Sequence, residues 1–196
     1  MTTSHTLAQD NREDQFTSYF GMLIALGSWA MLFIALFASY GIIRVQAENW
    51  VSPASDPSSL LLAAINTGII LMSSWTYYRG YRAILSGNLY SLKNWLVITI
   101  IVGAGFLVMQ LNLWQLLTRR GFTATSLIEG SVFYMLSGLH GIHIIGGLAA
   151  VVWLLWKVTR QAINTPGQSL PVRLVGLFWH FLTVVWITLF ITVFII

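Results

Sequence analysis

The sequence predicts an all-α, polytopic membrane protein with five transmembrane helices, N-terminus in and C-terminus out. Three observations carry that expectation. The chain of 196 residues is 57% hydrophobic and only 8% charged, whereas soluble domains carry about 25% charged residues. The few charges leave five stretches entirely uncharged, residues 15–43, 57–78, 94–118, 130–156 and 174–196. Each is long enough to cross a hydrocarbon core of about 30 Å, which takes about 20 apolar residues in a helix. What lies between them leaves no room for a soluble domain, so a nuclease, a kinase or a soluble dehydrogenase is excluded. There is no cysteine, and with it no disulfide and no thiolate metal site. The net charge of +4 does not point to nucleic acid, because the basic residues lie in short loops beside spans, where they set topology and meet lipid headgroups.

Taken in order, residues 1–16 are polar and mixed in charge. They lack a basic segment followed by a short apolar core, so they read as a short cytoplasmic tail rather than a secretory signal. The spans are placed at about 17–43, 58–78, 94–118, 130–156 and 174–196. The loop before the second span carries Pro53 and Pro57, and the loop before the fifth carries Pro166-Gly167 and Pro171, which are helix-breaking signals. Loops this short force consecutive spans to pack antiparallel. Orientation follows from Lys and Arg. Arg12, Arg79, Arg82, Lys93, Lys157, Arg160 and Arg173 share the side of the N-terminus, against Arg44, Arg119 and Arg120 on the other, and the richer side is the cytoplasmic one. Five spans do not divide into inverted halves, which disfavours a repeat-built transporter. Small-residue pairs at helix-packing spacing (Gly21/Ala25, Ala35/Ser39, Ser137/Gly141) mark candidate close contacts. Trp50, Trp95, Trp114, Trp153 and Trp156 fall near span ends as an interfacial belt.

Polar side chains inside spans are the functional candidates. The fourth span carries His140 and His143, three residues apart and so on one helix face. The fifth carries His180 near its start. A haem or metal between them is disfavoured on depth. His143 lies roughly 20 Å from the inner end of its span and His180 roughly 9 Å from the inner start of its own, at 1.5 Å per residue. No span holds a carboxylate to complete a metal site or a proton relay, and Glu129 reaches only the lip of the fourth. The expectation is therefore no catalytic, cofactor or metal site in this chain, with the histidines making interhelical or partner contacts. Trp179, Thr183 and Trp186 share one face of the fifth span, where packing is the commoner outcome and a partner-binding stripe the alternative. Lys157 and Arg160, just inside the fourth span, suit an anionic lipid headgroup.

The segment GSVFYMLSGLHGIHIIGG, with WHFLTVVW after it, resembles subunit III of the haem-copper respiratory oxidases. SWAMLFIALFASY, NTGIILMSSWTYYRG and FLVMQLNLW resemble that family's preceding spans, so the resemblance covers nearly all of residues 17–196. The length is similar to the short five-span bacterial form. The resemblance implies a bacterial inner-membrane subunit that holds no haem or copper itself. It would pack beside subunit I, which carries haem and copper, and other oxidase subunits, bind phospholipid, and support turnover in aerobic respiration. It also implies lipid or subunit contacts at His140, His143, Lys157, Arg160, Trp179 and His180. Three positions depart from the family pattern. Trp29 stands where a Glu is expected, Leu113 where a Glu often occurs, and Thr183 where an Asp is usual. Each removes a charge from the membrane interior. Two readings follow: a subunit III with structural and lipid roles, fed by cytochrome c or quinol, or an accessory paralogue such as the one accompanying nitric oxide reductase. A stand-alone membrane carrier using the histidines is a third.

Overall fold

The computed structural model describes the backbone of residues 2–47, 50, 52–125, 128–163 and 165–195, and the side chains of these from Phe16 onward apart from Ser55. The described residues form α-helices, short turns and no strand. The helices are α1 (Thr2–Gln46), α2 (Pro57–Leu85), α3 (Leu89–Arg119), α4 (Ile128–Thr159) and α5 (Leu170–Phe190), the last continuing as a π-helical turn over Ile191–Ile195. All five are long and apolar enough to span a membrane, α1 over Phe16–Gln46 and α5 with its π turn over Leu170–Ile195. The chain is a multi-pass membrane protein.

Each helix extends past the uncharged window that announces it. α2 takes in Arg79 and Arg82, α3 takes in Lys93 and Arg119, α4 takes in Lys157, and α5 takes in Arg173. Long basic side chains can leave the apolar layer while their stems stay helical, so charge marks the headgroup level rather than the helix end. The backbone of α1 is likewise helical from Thr2, well before the apolar part begins.

The ends are set by local chemistry. Asp56 caps α2, its Oδ2 accepting from the Ser59 N–H at 3.0 Å, with Pro57 in the first turn. A proline there gives up only a donor that has no helical partner. Asn88 caps α3 through a 2.9 Å bond from the Ser91 N–H. Gly87, at φ +75°, turns the chain between α2 and α3. Its left-handed backbone suits a residue without a Cβ. At the opposite end of α3, Arg120 forms an ion pair with Asp56 and donates to Ser58 Oγ at 2.8 Å. That ties the end of α3 to the start of α2.

Helices α2, α3, α4 and α5 form a ring in which each packs on the next and α5 closes on α2, and α1 lies outside it against α5 and α4. Cross-helix pairs fix the directions. Asn66–Gln110 and Gly80–Trp95 make α2 and α3 antiparallel, as Trp114–Ser137 and Gly103–Leu148 do for α3 and α4. Trp29–Phe178 and Arg44–Thr192 make α1 parallel to α5.

The interior is apolar and aromatic, with Phe106, Phe133, Trp179 and Trp186 fully enclosed. Backbones come closest at Gly103, Gly147 and Gly176. A Cβ on Gly103 or Gly147 would stand 3.0 Å from the Trp179 ring, and one on Gly176 would stand 2.7 Å from Tyr77. The spacing pairs of the sequence did not find these positions. Nothing from another helix lies within 4 Å of where a Cβ would sit on Gly21 or Gly141. Four-residue spacing places two small residues on one face, but only a neighbour makes that face a seam. Most of the described part of α1 has none, and among its described side chains only Phe33 and Tyr40 are buried.

Candidate functional site

His140 sits at the centre of the ring. It is 0% exposed. Its imidazole lies among Phe33 of α1 (6.4 Å between ring centres), Phe106 of α3 (6.0 Å) and Trp186 of α5 (5.4 Å). Neither ring nitrogen has a hydrogen-bond partner among the described residues. Nearby on α2 and α3, Asn66 Nδ2 donates to Gln110 Oε1 at 3.0 Å, while Asn66 Oδ1 and Gln110 Nε2 stay unpaired. Trp186 Nε1 donates to Thr67 Oγ1 at 3.0 Å.

His143 occupies the same α4 face one turn on but is only half-buried, and it looks toward α1. Its ring meets Trp29 edge-on at 5.9 Å and Phe33 at 5.4 Å, and its Nδ1–H donates to the Leu139 carbonyl at 2.8 Å. Trp29, which stands where a carboxylate is expected, is thus the aromatic wedge between α4 and α5, at 4.8 Å from Phe178.

His180 faces the other way. A 2.6 Å hydrogen bond joins its Nδ1 to Ser74 Oγ, and its ring meets Tyr77 at 6.0 Å. Tyr77 in turn donates to the Val172 carbonyl at 2.7 Å.

The three histidines are therefore not gathered, but the reason differs from the depth argument of the sequence. Gly147 packs against Trp179 and Leu182, which sets His180 beside residue 146 or 147 of α4. The offset from His143 is then about three residues, or about 5 Å, half of what the span ends suggested. What separates the rings is direction: His143 points to α1, His140 into the ring, and His180 to α2. Among the described residues no group of three or more His, Asp, Glu or Cys side chains could hold a metal ion.

Trp179 is fully enclosed against Gly103 and Gly147, and its Nε1 has no partner among the described residues. Thr183 bonds back to the Trp179 carbonyl at 3.1 Å. The Trp179/Thr183/Trp186 stripe is internal packing, with all three residues buried by this chain's own helices. Two exposed indoles near the end of α4 carry cations. Lys157 stands 4.2 Å over Trp153, and Arg160 lies 5.4 Å over Trp156. Such contacts are worth about 0.5–1 kcal/mol at exposed sites.

A profile of the family described as Cytochrome c oxidase subunit III matches residues 4–196. The chain belongs to that family. It is 39% identical over 175 residues to a probable cytochrome c oxidase subunit 3 of Nocardia farcinica, covering 89% of this chain and 85% of that one. It is 37% identical over 171 residues to a probable cytochrome c oxidase subunit 3 of Mycobacterium bovis, covering 87% and 83%. To a cytochrome c oxidase subunit 3 of Synechocystis it is 33% identical over 175 residues, covering 89% and 74%. These names do not favour the nitric oxide reductase alternative.

As a subunit III, the chain shows a division that the sequence did not reveal. His140 and Trp179 lie wholly within its own bundle, while Arg160 is exposed and Lys157 half-exposed at the end of α4. The buried Asn66–Gln110 pair was also missed. An isolated Asn and Gln in apolar runs signal interhelical bonding only once their pairing across two spans is known.

Proposed function

We propose that this chain is the non-catalytic subunit III of a haem-copper terminal oxidase in the inner membrane of a bacterium, with N-terminus in and C-terminus out. It packs beside the subunit that carries haem and copper, and it serves aerobic respiratory electron transport. The family match along residues 4–196 carries this reading. The bundle's interior supports it, since the one carboxylate within the described spans, Glu129, stands in the first turn of α4 and the three histidines diverge. His140, Trp179 and His180 then keep the bundle in shape for its neighbour, with His143 and Trp29 seating α1. Lys157 and Arg160, braced on Trp153 and Trp156, hold anionic phospholipid headgroups at the inner surface.

The test is to isolate this chain from its native membrane in mild detergent and record a reduced-minus-oxidised spectrum. Co-purification with haem a, o or b bands and oxygen uptake is expected. A colourless, solitary protein would overturn the assignment.

A further inference from the structure

A groove of about 440 Å³ opens where α2 turns into α3, lined by Tyr78, Arg79, Arg82, Ser86, Ser91 and Trp95 among others. We propose that it is a phosphate-binding site, distinct from Lys157 and Arg160, in which Arg79 and Arg82 grip the phosphate oxygens. The site fits the phosphodiester of a phospholipid in the adjoining leaflet.

Charge is the first ground. The chain's six acidic residues are Asp10, Glu13, Asp14, Glu48, Asp56 and Glu129. Asp56 is paired with Arg120 at the far end of α2, and Glu129, in the first turn of α4, belongs to that opposite side. Among the residues whose side chains are described, no carboxylate adjoins the turn, and the two arginines on successive helical turns stand open to a counter-charge from outside the chain.

Preparation is the second ground. Arg79 lies against two indoles, 5.4 Å from Trp75 and 5.2 Å from Trp95, which themselves meet edge-on at 5.7 Å. This contact holds the guanidinium at the level of the two indoles. Arg82 donates to the Tyr78 hydroxyl at 3.3 Å, leaving the Tyr78 O–H to donate in its turn. Planar guanidinium forks match phosphate oxygens in pairs and keep their charge at any physiological pH. Two such groups with hydroxyl donors in a groove of this size suit one phosphate head, with acyl chains lying along the exposed apolar flank of Tyr78 and Trp75.

The experiment is native mass spectrometry of the complex that contains this chain, purified in mild detergent, comparing wild type with Arg79→Gln/Arg82→Gln. Arg119→Gln, at the other end of α3, is the control for loss of a basic charge away from the groove, and Arg79→Lys/Arg82→Lys keeps charge without the fork. The expected result is one tightly retained phospholipid fewer per chain in the Gln variant. Its occupancy should fall about ten-fold or more, as losing charge-assisted bonds implies. The Lys variant should be intermediate and Arg119→Gln unchanged. A second arm titrates wild type with inorganic phosphate and follows ³¹P line broadening. Broadening lost in the Gln variant, without a retained lipid, assigns the site to soluble phosphate and overturns the lipid source. Equal lipid retention in all variants, with no phosphate broadening, overturns the site itself.

Discussion

Ser74 of α2 and His180 of α5 are joined by a 2.6 Å hydrogen bond across the helix seam. Tyr77 to Val172 lies on one side of it and Trp186 to Thr67 on the other. The closure of the ring between α2 and α5 thus has three polar ties at three depths.

The Ser74–His180 tie should be modest in energy. Interhelical hydrogen bonds in membranes average about 0.6 kcal/mol and reach about 1.7. A double-mutant cycle with Ser74→Ala and His180→Phe, read from unfolding in mixed micelles, should therefore give a coupling of about 0.6 kcal/mol. Strictly additive effects would mean that the two side chains do not act together.

Trp179 makes a larger demand on its neighbours. Gly103 and Gly147 approach its ring from α3 and α4, where an added Cβ would stand only 3.0 Å away. Gly147→Ala should destabilise the bundle by about 1–3 kcal/mol, the usual cost of overpacking, and should lower the thermal midpoint in detergent. Adding Trp179→Leu, which shortens the side chain at that contact, should recover part of the loss. A Gly147→Ala protein as stable as wild type would contradict the close approach.

How far these features were legible follows from what makes each one. The five spans could be read because uncharged length is a property of each segment alone. Their ends could not, because Arg79, Lys157 and Arg173 lie inside helices whose charged tips reach past the apolar layer. The histidine pair on α4 could be read as one face, since spacing fixes that. Which way His180 looks depends on the rotation of α5 against α2, and nothing local to its sequence encodes this. Trp29 was noticed only for the carboxylate it replaces, and its seat between His143 and Phe178 needed the neighbouring helices. Arg79 read as a topology signal, while its indole contacts needed Trp75 and Trp95 to be brought together by the Gly87 turn.

Asn66 and Gln110 are both buried and share one hydrogen bond, leaving one polar atom of each unpaired. Removing one partner strands the other, which costs about 1–3 kcal/mol, whereas replacing both with apolar groups of similar shape is often neutral. Asn66→Leu alone should therefore destabilise the protein, and Asn66→Leu/Gln110→Met should restore it to near wild type. A double variant worse than the sum of the singles would show that the pair contributes more than its mutual bond.

His140 offers the clearest separation of structure from chemistry. Its ring is enclosed by Phe33, Phe106 and Trp186 and makes no hydrogen bond among the described residues, so what it gives the bundle is volume and aromatic contact. His140→Ala leaves a cavity where three elements meet, and truncations of buried side chains of this kind cost about 2–5 kcal/mol. That is enough to lower the amount of this subunit held in its complex. His140→Leu keeps nearly the same volume and removes both nitrogens, and it should return subunit content toward wild type. Turnover per assembled complex should stay close to wild type in both variants, because the site lies inside one chain with no metal-capable cluster beside it. Subunit content by quantitative blotting and oxygen uptake per haem, measured on the same membranes, separate the two quantities. Full assembly of His140→Leu with lost oxygen reduction would assign the imidazole itself a chemical role that packing does not supply.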